Sequence, residues 1–183
     1  MMRNISIVIG SWGSYNECNE RALGSKWLDL GDFDSWEEIE EELTKQGFEL
    51  DGLDEELFIQ DIDGISANGL NCDYTHPKDL FELLNEADVI SNDYKYEFMN
   101  EYLSIRNWDE FQELVNNHGS NWDDDIHYYK GYDWSDYGKM IYEEYGYKIP
   151  ESIENFIDFE AYGQYMGSGY AEETDNGIIE IIR

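Results

Sequence analysis

The strongest constraint on this chain is its charge. It has 43 Asp and Glu residues against 11 Lys and Arg, which gives a formal net charge of −32 at pH 7. Repulsion among so many carboxylates destabilises any compact state. The chain nevertheless has the means to fold, because 41% of its residues are hydrophobic and 16% are aromatic. A disordered acidic tail is therefore excluded, and we expect a core rich in Tyr, Trp and Phe.

The same charge restricts the partners. Direct binding to nucleic acid is disfavoured, because nucleic-acid-binding domains present basic patches. The carboxylates could be a solvated surface, as in a halophilic protein, or they could be a binding surface for a protein that itself binds nucleic acid. Duplex DNA carries about one charge per 1.7 Å, so this charge would cover roughly 54 Å, or about 16 base pairs. A compact chain of this length has a radius of gyration of only about 16 Å, so a charge-matched mimic of DNA has to be elongated.

Residues 1–63 are expected to form an α+β module. Three short runs of apolar, mostly β-branched or aromatic residues predict strands: Ile5 to Ile9, Trp27 to Leu30, and Leu57 to Ile62. A capping-box sequence from Ser35 to Glu38 predicts the start of a helix that ends near Gln46, with Gly47 as its C-cap. The prediction is one helix on a three-stranded sheet, with a turn at 13–16.

Residues 64–119 are expected to form a helical module. A loop over residues 64–74 precedes three stretches with helical apolar spacing. These predicted helices are Pro77 to about Glu86, Tyr94 to Leu103, and a helix that begins after the N-cap Asn107.

Residues 120–183 are expected to form a second α+β module. Ile126 to Lys130 predicts a strand, and Asp133 predicts the N-cap of the helix that follows. Asp175-Asn176-Gly177 lies between two apolar runs, so a closing hairpin is predicted over residues 169–182.

Two short helices that meet at a capped corner are predicted between Lys148 and Met166. Pro150 suits the first turn of a helix, where its missing N–H costs nothing. Asp158 suits the N-cap of the second helix. Four residues recur at helical spacing and predict one apolar face: Ile149, Ile153, Phe156 and Ile157.

Rows of carboxylates on the predicted helices could imitate phosphates. Side chains three or four residues apart on a helix have Cβ atoms about 5–6 Å apart. The pairs Glu37/Glu41, Glu38/Glu42 and Glu110/Glu113 have this spacing. The plain alternative is a solvated helix face.

Other chemistries have little support in the sequence. The histidines His76, His118 and His127 are scattered and share no metal-ligand spacing. Residues 121–125 begin like a calcium-binding loop, but Ile126 stands where Gly is required and the downstream Glu is absent. No G-x-S-x-G or Walker-type sequence occurs. With so many acids, carboxylate pairs at glycosidase distance arise by chance.

Cysteine usage and hydropathy predict the compartment. Cys18 and Cys72 form no C-x-x-C pair and are expected to be free thiols. The longest apolar run, Ile5 to Ile9, is too short for a signal peptide or a membrane span. We therefore expect a soluble cytoplasmic protein.

The stretch from Pro150 to Gly163, P-E-S-I-E-N-F-I-D-F-E-A-Y-G, resembles the antirestriction motif of the ArdA family. Members of that family are acidic inhibitors of type I restriction–modification enzymes, carried by phages, plasmids and transposons. Other segments resemble the family in the same order along the chain: S-I-V-I-G-S-W-G-S-Y-N-E with G-S-K-W-L-D-L, then F-I-Q-D-I-D-G, then N-G-I-I-E-I-I. Gln164 and Tyr165 depart from it, because Arg and an acid usually stand there.

The resemblance implies an elongated α+β protein of three small modules that mimics duplex DNA. It implies a non-catalytic protein of a mobile genetic element, with no cofactor and no metal, that occupies the DNA groove shared by the specificity and methyltransferase subunits. The candidate mimic surface is a set of carboxylates: Glu37, Glu38, Glu41, Glu42, Asp109, Glu110, Glu113, Asp123, Asp124, Asp125, Asp133, Asp136, Glu143, Glu144, Glu151 and Glu154. The alternatives are an acidic module that binds cations or a basic protein without any restriction target, and a hydrolase.

Family members are homodimers, and the resemblance places their contact in the third module. An edge strand there could pair with its copy in the partner. The candidate contact residues are Ile126, Tyr128 and Tyr129, and the alternative is that these tyrosines belong to the core.

Overall fold

The computed structural model describes residues 4–148 and 150–181, without the side chain of Glu151. Ile149 and Ile182, predicted for the corner helix and the last strand, lie outside the described residues. The chain divides into two compact units, Met1–Asn121 and Trp122–Arg183. Each unit combines helices with a three-stranded antiparallel sheet, which confirms the α+β class.

The sheet of the first unit contains the three predicted strands: β1 (Ser6–Ser11), β2 (Leu28–Asp29) and β3 (Leu57–Asp63), in the order β2-β1-β3. β2 is shorter than predicted because the Asp29 side chain accepts a hydrogen bond from Gly31 N at 3.1 Å and starts a 3₁₀ turn. The pairing of β1 with β3 shifts register between Val8 and Ile9, so the sheet contains an irregularity there.

The predicted turn at residues 13–16 is wrong, because this segment is the helix α1 (Trp12–Glu17). Ser11 is its N-cap and accepts from Ser14 N at 3.2 Å. The Trp12 ring stacks on Phe58 of β3 with ring centroids 4.3 Å apart. The cap and the stacking hold a short helix against the sheet where local sequence indicates a turn.

The helix α2 (Trp36–Lys45) begins at the predicted residue and buries Trp36, Ile39 and Leu43. The capping box itself is not formed. The Ser35 side chain makes no capping bond, and Glu38 Oε2 accepts from Asp34 N at 2.8 Å instead. Gly47 follows the helix with a φ of +92°, a conformation that suits glycine.

The three helices predicted for residues 64–119 are confirmed, and they belong to the first unit: α3 (Pro77–Glu86), α4 (Asp93–Ile105) and α5 (Trp108–His118). Residues 64–76 form no helix or strand. The Asn107 side chain caps α5 by accepting from Glu110 N at 3.0 Å. Each helix contributes to a core that contains Leu80, Leu84, Phe98 and Phe111.

Among its described residues, the second unit contains three helices and three strands. They are β4 (Ile126–Lys130), α6 (Trp134–Glu144), α7 (Glu151–Glu154), α8 (Phe159–Gly167), β5 (Ala171–Thr174) and β6 (Gly177–Ile181). The sheet order is β4-β6-β5. The predicted caps are confirmed, because Asp133 accepts from Asp136 N at 2.9 Å and Asp158 accepts from Ala161 N at 3.0 Å.

The closing hairpin is confirmed, with its turn at Asp175-Asn176 and Gly177 as the first residue of β6. A Cβ atom on Gly177 would lie 2.4 Å from the carbonyl oxygen of Tyr129 in β4. Glycine is needed there because β4 and β6 approach closely and leave no room for a side chain. The backbone conformation is not the reason, since Gly177 does not have a positive φ.

The predicted apolar face at the corner is wrong for the part that is described. α7 has only four residues and ends before Phe156. Ile153 is 48% exposed and Phe156 is 85% exposed. Because α7 ends at Glu154, Phe156 lies outside the helix, and helical periodicity cannot place it on the same face as Ile153.

In the part of the chain that the structure describes, no helix has both the length and the apolar character needed to cross a membrane. Both cysteines are free, with Cys18 exposed and Cys72 half-buried.

Candidate protein-binding surface

Where their side chains are described, the carboxylates predicted to form the mimic surface are exposed to solvent, fully or in part. Only Glu42, Asp123 and Glu154 among them are half-buried, and the others are exposed. The side chain of Glu151 lies outside the described part. The carboxylates on α2 and α5 belong to the first unit, and those from Asp123 onward belong to the second.

Helix α2 carries two kinds of carboxylate. Glu38 and Glu42 are used within the protein: Glu38 accepts from Asp34 N at 2.8 Å, and Glu42 accepts from Gln46 Nε2 at 3.2 Å. Glu37 and Glu41 are exposed one turn apart, and neither carboxylate forms an ion pair or hydrogen bond with any described residue. Of these four carboxylates, only those of Glu37 and Glu41 remain fully available to a partner.

Helix α5 is acidic at its start, where Asp109 and Glu110 lie in the first turn. Negative charge is favourable there because the N-terminal end of the helix dipole is positive. Glu110 Oε1 also accepts from Asn107 Nδ2 at 2.9 Å, and Glu110 lies 3.6 Å from Arg106 Nε. Glu113 is exposed on the next turn.

In the second unit, Asp124 and Asp125 are exposed in the turn before β4. Glu143 and Glu144 are exposed at the end of α6. Glu154 accepts from Lys139 Nζ at 2.6 Å, which ties α7 to α6 and raises the pKa of Lys139.

Several of the few cations are bound within the protein. The ion pairs in the described residues include Arg21–Asp54, Lys45–Glu42, Lys78–Glu82, Arg106–Glu110 and Lys139–Glu154. Since the chain has 11 Lys and Arg against 43 Asp and Glu, its cations can compensate only part of the acidic surface. The negative field therefore faces the solvent.

One important carboxylate was not identified from the sequence. Asp54 is fully buried and accepts hydrogen bonds from Arg21 Nε at 3.0 Å, from Glu49 N at 2.9 Å and from Ser14 Oγ. Burial by itself raises the pKa of Asp54, but the bonds from Ser14, Glu49 and Ser11 and the charge of Arg21 outweigh it and lower the pKa. Asp54 is therefore structural. It lies in an acidic segment and looks like its neighbours, so no sequence signal separates it from them.

The predicted dimer contact lies on β4, an edge strand that pairs only with β6 in the described sheet. Ile126 is buried, and Tyr128 and Tyr129 are half-buried. Tyr129 packs against a core cluster that includes Tyr137 and Ile178. Tyr129 Oη donates to Glu180 Oε2 at 2.8 Å, and burial followed by this bond raises the pKa of Tyr129.

The helices α6 and α8 cross at two glycines. A Cβ on Gly138 would lie 2.1 Å from the carbonyl oxygen of Phe159, and a Cβ on Gly163 would lie 2.2 Å from that of Trp134. Real Cβ atoms essentially never show such distances. The last glycine of the P-E-S-I-E-N-F-I-D-F-E-A-Y-G stretch is therefore a packing residue that lets the two backbones meet.

No group of three or more His, Cys, Asp or Glu side chains could hold a metal ion in the described part of the chain.

The fold and its surface define an acidic α+β protein with carboxylates displayed on helices and turns. The sequence matches the family model described as antirestriction protein (ArdA) over residues 7–180. Because the match covers nearly the whole chain, the protein belongs to the ArdA antirestriction family, which confirms the resemblance found in its motifs. A comparison with curated proteins found no match.

Membership has a direct consequence for function. The family consists of antirestriction proteins, so its members act on restriction systems as inhibitors, and it is not a known enzyme family. Restriction enzymes are the general class of partner.

Proposed function

We propose that this protein inhibits a type I restriction–modification enzyme by mimicking duplex DNA. The observation that carries the proposal is the exposure of the carboxylates on α2, on α5 and at the end of α6 in a protein with a net charge of −32. The acidic surface would occupy the basic DNA groove formed by the specificity and methyltransferase subunits. This mechanism needs no catalysed reaction and no cofactor, and it operates in the cytoplasm.

The physical basis is competition for the same basic groove. A groove that binds DNA holds anions in solution and releases them when a polyanion enters. Single exposed carboxylate–cation contacts contribute only about 0–1 kcal/mol each, so affinity would come from their sum. The chain is suited to this role because its own cations are few and several are already paired.

We predict that no single surface carboxylate is essential and that inhibition falls as several are removed. Glu37→Gln or Asp124→Asn alone should leave most inhibition intact. Replacing Glu37, Glu38, Glu41 and Glu42 together should reduce it strongly, and added salt should weaken binding further. The measurement is a titration of a purified type I enzyme with each variant at two salt concentrations.

The control for this series is circular dichroism of each variant, which should show an intact fold. Complete loss of inhibition from one Glu→Gln change, with the fold preserved, would indicate a discrete catalytic or metal site and contradict the mimic.

We also propose the three-module division 1–63, 64–119 and 120–183, an elongated particle, and a homodimer formed through Ile126, Tyr128 and Tyr129. The edge position of β4 supports the dimer, because its outer side can accept another strand.

Small-angle scattering should give the mass of a dimer and an elongated shape, and Tyr128→Asp should reduce the mass to that of the monomer. Tyr74→Asp, at an 87% exposed position of the first unit, is the matched control. A compact sphere would contradict the shape, and an unchanged mass of the folded Tyr128→Asp variant at low concentration would contradict the contact.

A further inference from the structure

The first unit has a groove between α2 and the turn that follows it. Phe48, which is 4% exposed, and the half-buried Leu50 supply its apolar base. Glu37 and Glu41 of α2 and Asp51 of the turn also line the groove. The groove has a volume of ≈ 590 Å³, which is ample for a side chain of a partner.

The charges of the groove lining are not balanced within the protein. The side chains of Glu37, Glu41 and Asp51 are exposed, and their carboxylates form no ion pair or hydrogen bond with another described residue. Glu40 also lines the groove, and its carboxylate accepts from Trp36 Nε1 at 2.8 Å. Among the described residues of the lining, the one cation is Lys45, whose ammonium lies 3.5 Å from Glu42.

This combination of an apolar base and an acidic rim selects a particular kind of group. Lys and Arg side chains have an aliphatic stem and a cationic head, and they bury the stem against apolar surface while the head stays polar. A purely apolar or acidic group would leave the rim carboxylates unpaired or repelled. The charge of the rim therefore complements a basic side chain.

We infer that this groove receives a Lys or Arg side chain from the DNA-binding groove of the partner enzyme. Glu37, Glu41 and Asp51 contact the cationic head, and Phe48 and Leu50 contact the stem. The inference rests on the proposed DNA mimicry and adds a discrete contact point to it. It also separates the carboxylates of α2 into contact residues and residues used within the helix.

The test compares two double variants that remove the same charge from the same helix. Glu37→Gln/Glu41→Gln should weaken binding to a purified type I methyltransferase by about tenfold or more, because charge-assisted hydrogen bonds are lost. Glu38→Gln/Glu42→Gln should weaken it only about two- to threefold, through the general field. Leu50→Ala, which leaves the charge unchanged, should weaken it several-fold.

Equal weakening by the two double variants would overturn the groove as a contact point. If the native protein still bound and were displaced by duplex DNA, the proposed mimicry would stand. Failure of the native protein to bind, or binding that duplex DNA does not displace, would instead overturn the proposed function and the inference with it. Asp51→Asn, in the turn and outside the helix, gives a second readout if the helix variants lose stability. It should weaken binding several-fold, and unchanged binding would overturn the inference.

Discussion

Gly163→Ala is expected to destabilise the second unit by about 2 kcal/mol, although alanine is the better helix former. Helix propensity alone predicts a gain of about 1 kcal/mol. The added methyl group, however, would lie 2.2 Å from Trp134 O and 2.9 Å from Gly138 N. These atoms are backbone, so they cannot rotate away, and the two helices must separate. Overpacking of this kind costs about 1–3 kcal/mol and occasionally more, and we expect it to exceed the gain.

Urea unfolding of the full chain, followed by circular dichroism, measures this effect. Gly138→Ala should behave like Gly163→Ala, because its Cβ would lie 2.1 Å from Phe159 O. Gln164→Ala is the matched control, since Gln164 is the exposed neighbour of Gly163 on the same helix. A Gly163→Ala variant as stable as the native protein would show that the helices do not meet at these glycines.

Asp54→Ala is expected to destabilise the first unit by about 3 kcal/mol. The change leaves the Arg21 guanidinium, the Ser14 hydroxyl and the Glu49 N–H without their shared acceptor. Removing one partner of a buried ion pair costs about 3–5 kcal/mol. We expect the lower end because the Arg21 side chain is 23% exposed and can regain water.

The Asp54 contribution should depend on pH in a defined direction. The pKa of Asp54 is lowered from its ordinary value of 3.8, so its stabilisation is fully present above that value. It is lost as the pH falls through the lowered pKa, because the folded state must then take up a proton. Acid also relieves repulsion among the other carboxylates, so the effect is read as the difference between native protein and Asp54→Asn.

This difference in the free energy of unfolding should be constant near neutral pH and shrink as the pH falls below about 4. Urea unfolding at several pH values measures it. Asp51→Asn, three residues away and exposed, is the control and should not change stability. A difference independent of pH down to acid unfolding would contradict the assigned role of Asp54.

Most helices and strands could be predicted because their signals are local. Pro77, Asn107, Asp133 and Asp158 mark helix starts by their own chemistry, and the structure has helices at each. α1 could not be predicted, since its stability depends on the packing of Trp12 on a strand far along the chain. The Gly138–Gly163 contact is likewise tertiary.

The candidate surface was predictable in outline and not in detail. Helical periodicity places Glu37 and Glu41 away from the buried stripe of α2. The engagement of Glu38 depends on the backbone of Asp34, because the expected capping box is not formed. The burial of Asp54 depends on Arg21 and Ser14, which are distant in sequence. An acidic chain provides many carboxylates of identical chemistry, and only tertiary structure separates those that stabilise the fold from those that face a partner.

Competition with DNA tests the central claim most directly. The protein is bound to a purified type I methyltransferase, consisting of specificity and methyltransferase subunits, and is titrated with a duplex that contains the recognition sequence. The proposed mimicry predicts mutually exclusive binding, so that the apparent Kd of the protein rises in proportion to the DNA concentration. A ternary complex, with the Kd unchanged at saturating DNA, would contradict it and would favour an acidic module that binds a basic protein elsewhere than its DNA groove.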